Sequence, residues 1–115
     1  GDNAWRSACS RELKENFAPV DGEWLLGRVR TLPISQWNYK QMDPTAKFIG
    51  PVAEDFHAAF GLGRSEKQIA TVDADGVALA AIQGLNAKLE AENAALRDEL
   101  AELRALIEAR LPAEH

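Results

Sequence analysis

The chain has few of the residues that staple or metallate a small domain. It holds one cysteine in 115 residues, so no internal disulfide can hold the fold. Cys9, His57 and His115 are its only thiol and imidazoles, too few for a structural zinc site, and no cofactor is expected. No run approaches the ~18 apolar residues of a membrane helix, so a transmembrane span is excluded and no membrane partner is expected. The N-terminal GDNAWRSACS lacks the apolar core of a signal peptide and reads as a boundary cut from a larger protein. Positive charge is also scarce: 13 Lys and Arg against 18 Asp and Glu give a net charge of −5. The basic residues are scattered, which argues against a nucleic-acid face. What remains, 46% hydrophobic and 27% charged residues, is too apolar for disorder along the whole chain.

Aromatic residues stop before residue 73, and four of the five prolines lie before it. Beyond it Ala, Leu and Glu dominate. The chain therefore divides into a compact head and a long helix. In the head, Arg11 to Asn16 suits a short helix or strand. Asp21 to Leu32 places Trp24, Leu25, Val29 and Leu32 near helical spacing, with Asp21 as N-cap and Pro33 closing the helix. Ile34 to Lys40 alternates as a strand does. Gln41 to Lys47, with Pro44, is a turn or loop. Phe48-Ile49-Gly50 is a short strand. Pro51 to Phe60 gathers Val52, Phe56, Ala59 and Phe60 on one helical face, ended by Gly61-Leu62-Gly63. Ile69 to Val72 is expected to be a last strand. Trp24, Trp37, Phe48 and Phe56 must be buried against something. Trp5, Trp24 and Trp37 read as core or subunit-contact residues.

From about Asp73 to Leu111 a heptad frame fits. Leu79, Asn86, Asn93, Leu100 and Ile107 fall at position a, and Ile82, Leu89, Leu96 and Leu103 at position d. Sustained over four heptads, this pattern predicts a coiled coil, capped by Asp73 or Asp75. Such a helix is on the order of 55–60 Å long, more than the head can cover. Glu92 and Glu99 at g face Arg97 and Arg104 at e of a parallel neighbour. The two Asn at position a cost stability but penalise slipped registers. Val77, Leu79 and Ile82 are expected to hold the head onto the coil. Asp73-Ala-Asp75-Gly76 resembles the start of a calcium loop but lacks its later ligands. His57 has no nucleophile beside it in sequence and reads as a surface residue.

The expected architecture is thus α+β: a linker or stalk remnant over 1–8, a mixed head over 9–72, and a coiled-coil helix over 73–111. Four segments in this order resemble one family. They are Ser10-Arg-Glu-Leu-Lys-Glu-Asn-Phe17, Leu32-Pro-Ile-Ser-Gln-Trp-Asn-Tyr-Lys40, Phe48-Ile-Gly-Pro-Val-Ala-Glu-Asp-Phe56, and Val72-Asp-Ala-Asp-Gly-Val-Ala-Leu-Ala-Ala-Ile-Gln-Gly-Leu-Asn86. Together they resemble the intramolecular chaperone auto-processing domain at the C-termini of phage tailspikes, endosialidases and tail fibres, over residues 9 to about 90.

That resemblance implies a parallel homotrimer that aligns the upstream fibre or β-helical stalk of the same chain, in a virion tail or a prophage-derived protein made in the host cytoplasm. It also implies self-cleavage by a serine and a lysine five residues later, in a motif like Ser-Asp-Arg-x-x-Lys. Set on Lys14, Arg11 takes the arginine position, Cys9 the serine position and Ser10 the aspartate position. Ser10 would be the nucleophile only at a spacing of four. The leading expectation is a trimerising chaperone with self-cleavage lost or weakened. The alternatives are an active autoproteolytic peptidase using Cys9 or Ser10 with Lys14, and an oligomerisation cap with a receptor-binding head.

Overall fold

One end of a single long helix carries a head of short elements. The computed structural model describes residues 8–112. A 3-10 turn, Arg11–Leu13, comes first. Helix α1 (Gly22–Thr31), strands β1 (Ser35–Trp37) and β2 (Phe48–Gly50), helix α2 (Ala53–Phe60) and helix α3 (Thr71–Arg110) follow. The class is α+β, as the sequence predicts. Trp5 and His115 lie outside the described residues, as does all of the expected 1–8 remnant except Ala8.

Helix α1 starts where its chemistry dictates. The Asp21 carboxylate accepts from the backbone N–H groups of Glu23 and Trp24, both at 3.1 Å. This satisfies two of the donors that a helix start leaves without partners. The helix stops at Thr31, and Leu32 is extended, as the residue before a proline is pushed to be. Strand β1 is shorter than the expected Ile34 to Lys40. Ser35, Gln36 and Trp37 pair antiparallel with Gly50, Ile49 and Phe48. Trp37 stacks on Phe48 at 5.5 Å between ring centroids and donates from Nε1 to the Gly50 carbonyl at 3.2 Å. In the connecting turn the Asp43 carboxylate accepts from the Thr45 N–H and hydroxyl, and these bonds hold its pKa below the usual aspartate value. Gly61 ends α2 in the left-handed region at φ 64°, its N–H on the His57 carbonyl at 2.7 Å.

Two expectations fail at the entry to α3. Ile69 to Val72 forms no strand: the described sheet has only β1 and β2, and a strand without a ladder partner gains nothing. The Ala70 carbonyl instead accepts from the N–H groups of Asp73 and Ala74, opening the helix at Thr71. Neither Asp73 nor Asp75 caps it; Ala70 holds the N-cap position without a side-chain bond. Asp73 lies in the first turn, where a carboxylate faces the positive end of the helix dipole.

The core is small. Leu25, Phe56 and Val77 are buried, with Val29, Leu32, Phe60, Ile69, Ala74 and Ala80 packed around them. Of the four aromatic residues expected inside, only Phe56 is fully buried, at 4% exposure. Leu25 turns toward α3, so its neighbour Trp24 is carried about 100° round the helix into solvent, under the Arg28 guanidinium. Phe48 is exposed, Trp37 is half-buried, and Val52 is the exposed N-cap of α2 rather than part of its apolar face.

Helix α3 has two unlike faces. Ala74, Val77, Ala81 and Gly84 meet the head, and α1 crosses so closely that a Cβ on Gly84 would run into the Gly22 carbonyl. A Cβ on Gly22 would sit 2.9 Å from the Ala80 carbonyl oxygen. Val77 holds the head as expected, but Leu79 and Ile82 do not; they are 63% and 61% exposed. At 3.6 residues per turn, the a/d stripe lies about 150° round the helix from the stripe that meets α1. Leu89, Leu96, Leu100, Leu103 and Ile107 of that stripe are exposed too, as are Leu85 and Leu106 beside it at g. The 40 residues of α3 span about 60 Å and give the chain its 81 × 41 × 29 Å extents.

Candidate functional site

Residues 8–21 carry little regular structure, yet their one turn sets the geometry that matters. Ser10 is the N-cap of the 3-10 turn. Its Oγ accepts from the Glu12 N–H at 3.2 Å, and its carbonyl accepts from the Leu13 N–H at 3.0 Å. The Lys14 N–H then closes on the Arg11 carbonyl at 3.1 Å. This folds the chain back over five residues. The Lys14 ammonium donates from Nζ to Cys9 Sγ at 2.8 Å. Asn16 takes a left-handed φ of 57°, and the Arg11 guanidinium lies 5.1 Å over the Phe17 ring.

The structure thus brings together two of the three residues singled out from the sequence. Cys9 and Lys14 touch. Ser10 makes no contact with them; its Oγ accepts the Glu12 N–H as the cap of the turn. A thiol beside an amine is a nucleophile with a proton acceptor and donor in reach, the minimum for acyl transfer. All three side chains are exposed, and so are Leu13, Phe17 and Val20 around them. Nothing in the described part of the chain covers this segment.

Among the described residues the other titratable groups assemble no second constellation. His57 Nδ1 lies 3.3 Å from the Leu62 carbonyl and secures the end of α2. Glu54 pairs with Lys67 at 2.8 Å, and that hydrogen bond, with the lysine's charge, holds its pKa below the usual glutamate value. Among the described residues no three His, Cys, Asp or Glu gather as a metal site. No described helix is long and apolar enough to cross a membrane. Sequence reasoning did not foresee an open groove of about 810 Å³ between Trp37, Tyr39, Val52, Arg64, Lys67 and Asp73. Its only trace in the sequence is the Trp37-Asn38-Tyr39 cluster.

Comparison with known proteins adds one finding. The model of the family described as chaperone of endosialidase matches residues 9–61. The match begins at Cys9, takes in Lys14, α1, both strands and α2, and stops ten residues short of α3. It bears out the resemblance drawn from the sequence for that part of the chain. No curated protein and no solved structure matches.

Proposed function

We propose that this chain is a C-terminal intramolecular chaperone. It trimerises through α3 and aligns an upstream tail-fibre or tailspike-like segment of the same polypeptide while that segment folds. Self-cleavage is lost or weakened. The match of residues 9–61 to the chaperone of endosialidase family carries the reading. It supports a chaperone role in a tail protein of a phage or prophage.

The bare face of α3 supports self-association. A row of leucines standing in water along a 40-residue helix is not stable alone, and parallel copies would cover it. Among the described residues the one ion pair is Lys67–Glu54, so Glu92, Glu99, Arg97 and Arg104 have no partner there and are free to pair between chains. Light scattering at micromolar concentration tests this. The expected mass is three times the 12.6 kDa of one chain. A monomer or dimer mass overturns the trimer.

The contact at 2.8 Å between Lys14 Nζ and Cys9 Sγ favours a second reading, in which the same domain cuts itself free with a cysteine–lysine pair. Mass spectrometry of freshly expressed protein carrying an N-terminal extension separates the two. An intact chain supports the scaffold, and a new N-terminus at Cys9 supports the peptidase.

A further inference from the structure

We propose that the Asn93 layer of the assembled α3 seam is an anion site. Three side-chain amides, one from each copy, close on one monovalent anion of halide size on the common axis, while the Asn86 layer holds none. The inference rests on the trimer reading and deepens it, because the site exists only where three copies meet.

The two asparagines share heptad position a but differ in the residue one turn further on. Asn86 donates from Nδ2 to the Glu90 carboxylate, at 3.3 Å. The residue at the same spacing from Asn93 is Arg97, which has donors only. All four side chains are exposed in the single chain. Assembly removes them from water. In the seam Asn86 lies between the Ile82 and Leu89 layers, and Asn93 between the Leu89 and Leu96 layers, each step being roughly 4.5–6 Å along the axis. A polar group enclosed between apolar layers needs a hydrogen-bond partner for each N–H.

Counting donors and acceptors decides what each layer takes. An amide has two N–H donors and one oxygen. Around a three-fold axis each amide gives one N–H to the oxygen of the next, and one N–H per chain is left over. At Asn86 the Glu90 carboxylate of the same helix accepts it. At Asn93 the nearby acceptors are already engaged: Glu90, one turn back, holds Asn86, and Glu92 at position g faces Arg97 of the adjacent copy in the proposed seam. Three symmetry-related N–H groups therefore converge without an acceptor. A water on the axis accepts only two hydrogen bonds and brings two protons of its own into an apolar seam. A monatomic anion accepts all three and brings none, and bonds to an ion are stronger than bonds between neutral groups. The three Arg97 guanidinium groups that border the layer offset the charge of the ion. A multivalent oxyanion is too costly to strip of water in so narrow a seam.

The full chain tests this with chloride as the probe. Light scattering first verifies a mass of three times 12.6 kDa. Thermal unfolding is then followed by circular dichroism in sodium chloride and in sodium fluoride at equal ionic strength, fluoride being held too tightly by water to enter. The parent is expected to melt at least about 3 °C higher in chloride, since an ion bound only by the assembled state stabilises it. Asn86→Leu keeps that difference and Asn93→Leu loses it; both place a seam residue at position a, so general salt effects are common to them. Glu90→Arg strips the acceptor from the Asn86 layer and adds a second chloride-dependent increment. The line width of chloride in 35Cl NMR gives a readout independent of stability: the parent trimer broadens it, and Asn93→Leu does not. If Asn93→Leu changes its mass, Arg97→Gln decides instead, because it keeps both asparagines and supplies the missing acceptor oxygen; retention of the parent's chloride dependence in that variant overturns the proposal. A trimer that melts no higher in chloride overturns the anion site and leaves the trimer standing. Equal chloride dependence in Asn86→Leu and Asn93→Leu overturns the assignment to Asn93. A monomer or dimer mass overturns the trimer and the site with it.

Discussion

The first fourteen residues of α3 and the twenty-six that follow are one unbroken helix with two different sources of stability. Over Thr71 to Gly84 the helix is clamped: Val77 and Ala81 are buried, and Gly84 touches the backbone of α1. Beyond Gly84, no α3 residue is buried and the large apolar side chains are exposed. The first stretch is held by its own chain, whereas in the proposed trimer the second is held by the other copies. The division is written across the helix as well as along it. The stripe that meets the head uses small residues, which let α1 approach. The opposite stripe uses exposed leucine and isoleucine, the side chains that the proposed seam would interdigitate.

The most drastic way to break the comparison is to remove α3 from the head. A chain ending after Val72 loses Val77, Ala81 and Gly84, the surface on which Leu25 and α1 pack. Two short helices and a two-stranded ribbon cannot bury enough area to repay their ordering. The expected outcome is no cooperative thermal unfolding, read by circular dichroism. A cooperative melt of residues 1–72 would show that the head is independent of the helix.

A single atom should separate the two stretches more gently. Gly84→Ala gains about 1 kcal/mol of helix preference. It also sets a methyl group against the Gly22 carbonyl and the Glu23 N–H, both backbone, so no side-chain rotation relieves the clash. Overpacking of this kind costs about 1–3 kcal/mol, and separating two backbones lies at the upper end. The net change should be destabilising by about 1–2 kcal/mol, with a lower melting temperature for the head. Gly76→Ala is the control: beyond the adjoining turns of its own helix, no atom lies within 4 Å of its would-be Cβ, so it should stabilise. Equal effects from the two would place the tight contact elsewhere.

In the distal stretch the sign should reverse for a bulky residue. Asn93→Ile exchanges a polar a-layer for an apolar one in the proposed seam. It should raise the melting temperature while broadening the distribution of oligomer masses. A variant that melts no higher than the parent would mean that Asn93 lies outside the seam and the heptad frame is shifted.

Local chemistry was legible in the sequence, and pairings between distant segments were not. Asp21 before an apolar period, Pro33 after it and Gly61 after Phe60 mark helix ends through bonds and torsions within a few residues, and each stands where expected. The long helix is equally local, since it needs only the helical period, and it runs from Thr71 to Arg110. Ile69 to Val72 misled because an apolar, β-branched run is as good an entry to a buried helix as it is a strand, and only the missing ladder partner decides. The Gly22–Gly84 contact joins residues 62 positions apart and leaves no periodic trace. At the site, the family resemblance placed Cys9 and Lys14 as a pair, but the bond by which Ser10 caps depends on the 3-10 turn. A serine followed two residues later by an exposed glutamate gives little warning of it.

The smallest effect concerns what the head owes to charge rather than to α3. Glu54 and Lys67 pair at 2.8 Å across the loop after α2, with both side chains more than half exposed. The Lys67 hydrogen bond, aided by the α2 backbone N–H, lowers the Glu54 pKa below its unfolded value. A depressed carboxylate binds fewer protons folded than unfolded. Its contribution is therefore complete above the ordinary glutamate range and disappears as pH falls through the folded pKa. Lys67→Met keeps much of the stem and removes the charge. The parent should melt slightly above the variant at pH 7, the gap should narrow in high salt, and it should close by about pH 3. The Asp43 turn also weakens in acid, but it is common to both proteins and drops out of the difference. A gap that is the same at pH 3 as at pH 7 would mean that Lys67 acts through the packing of its stem along the groove under Trp37, and that the head's stability owes nothing measurable to this ion pair.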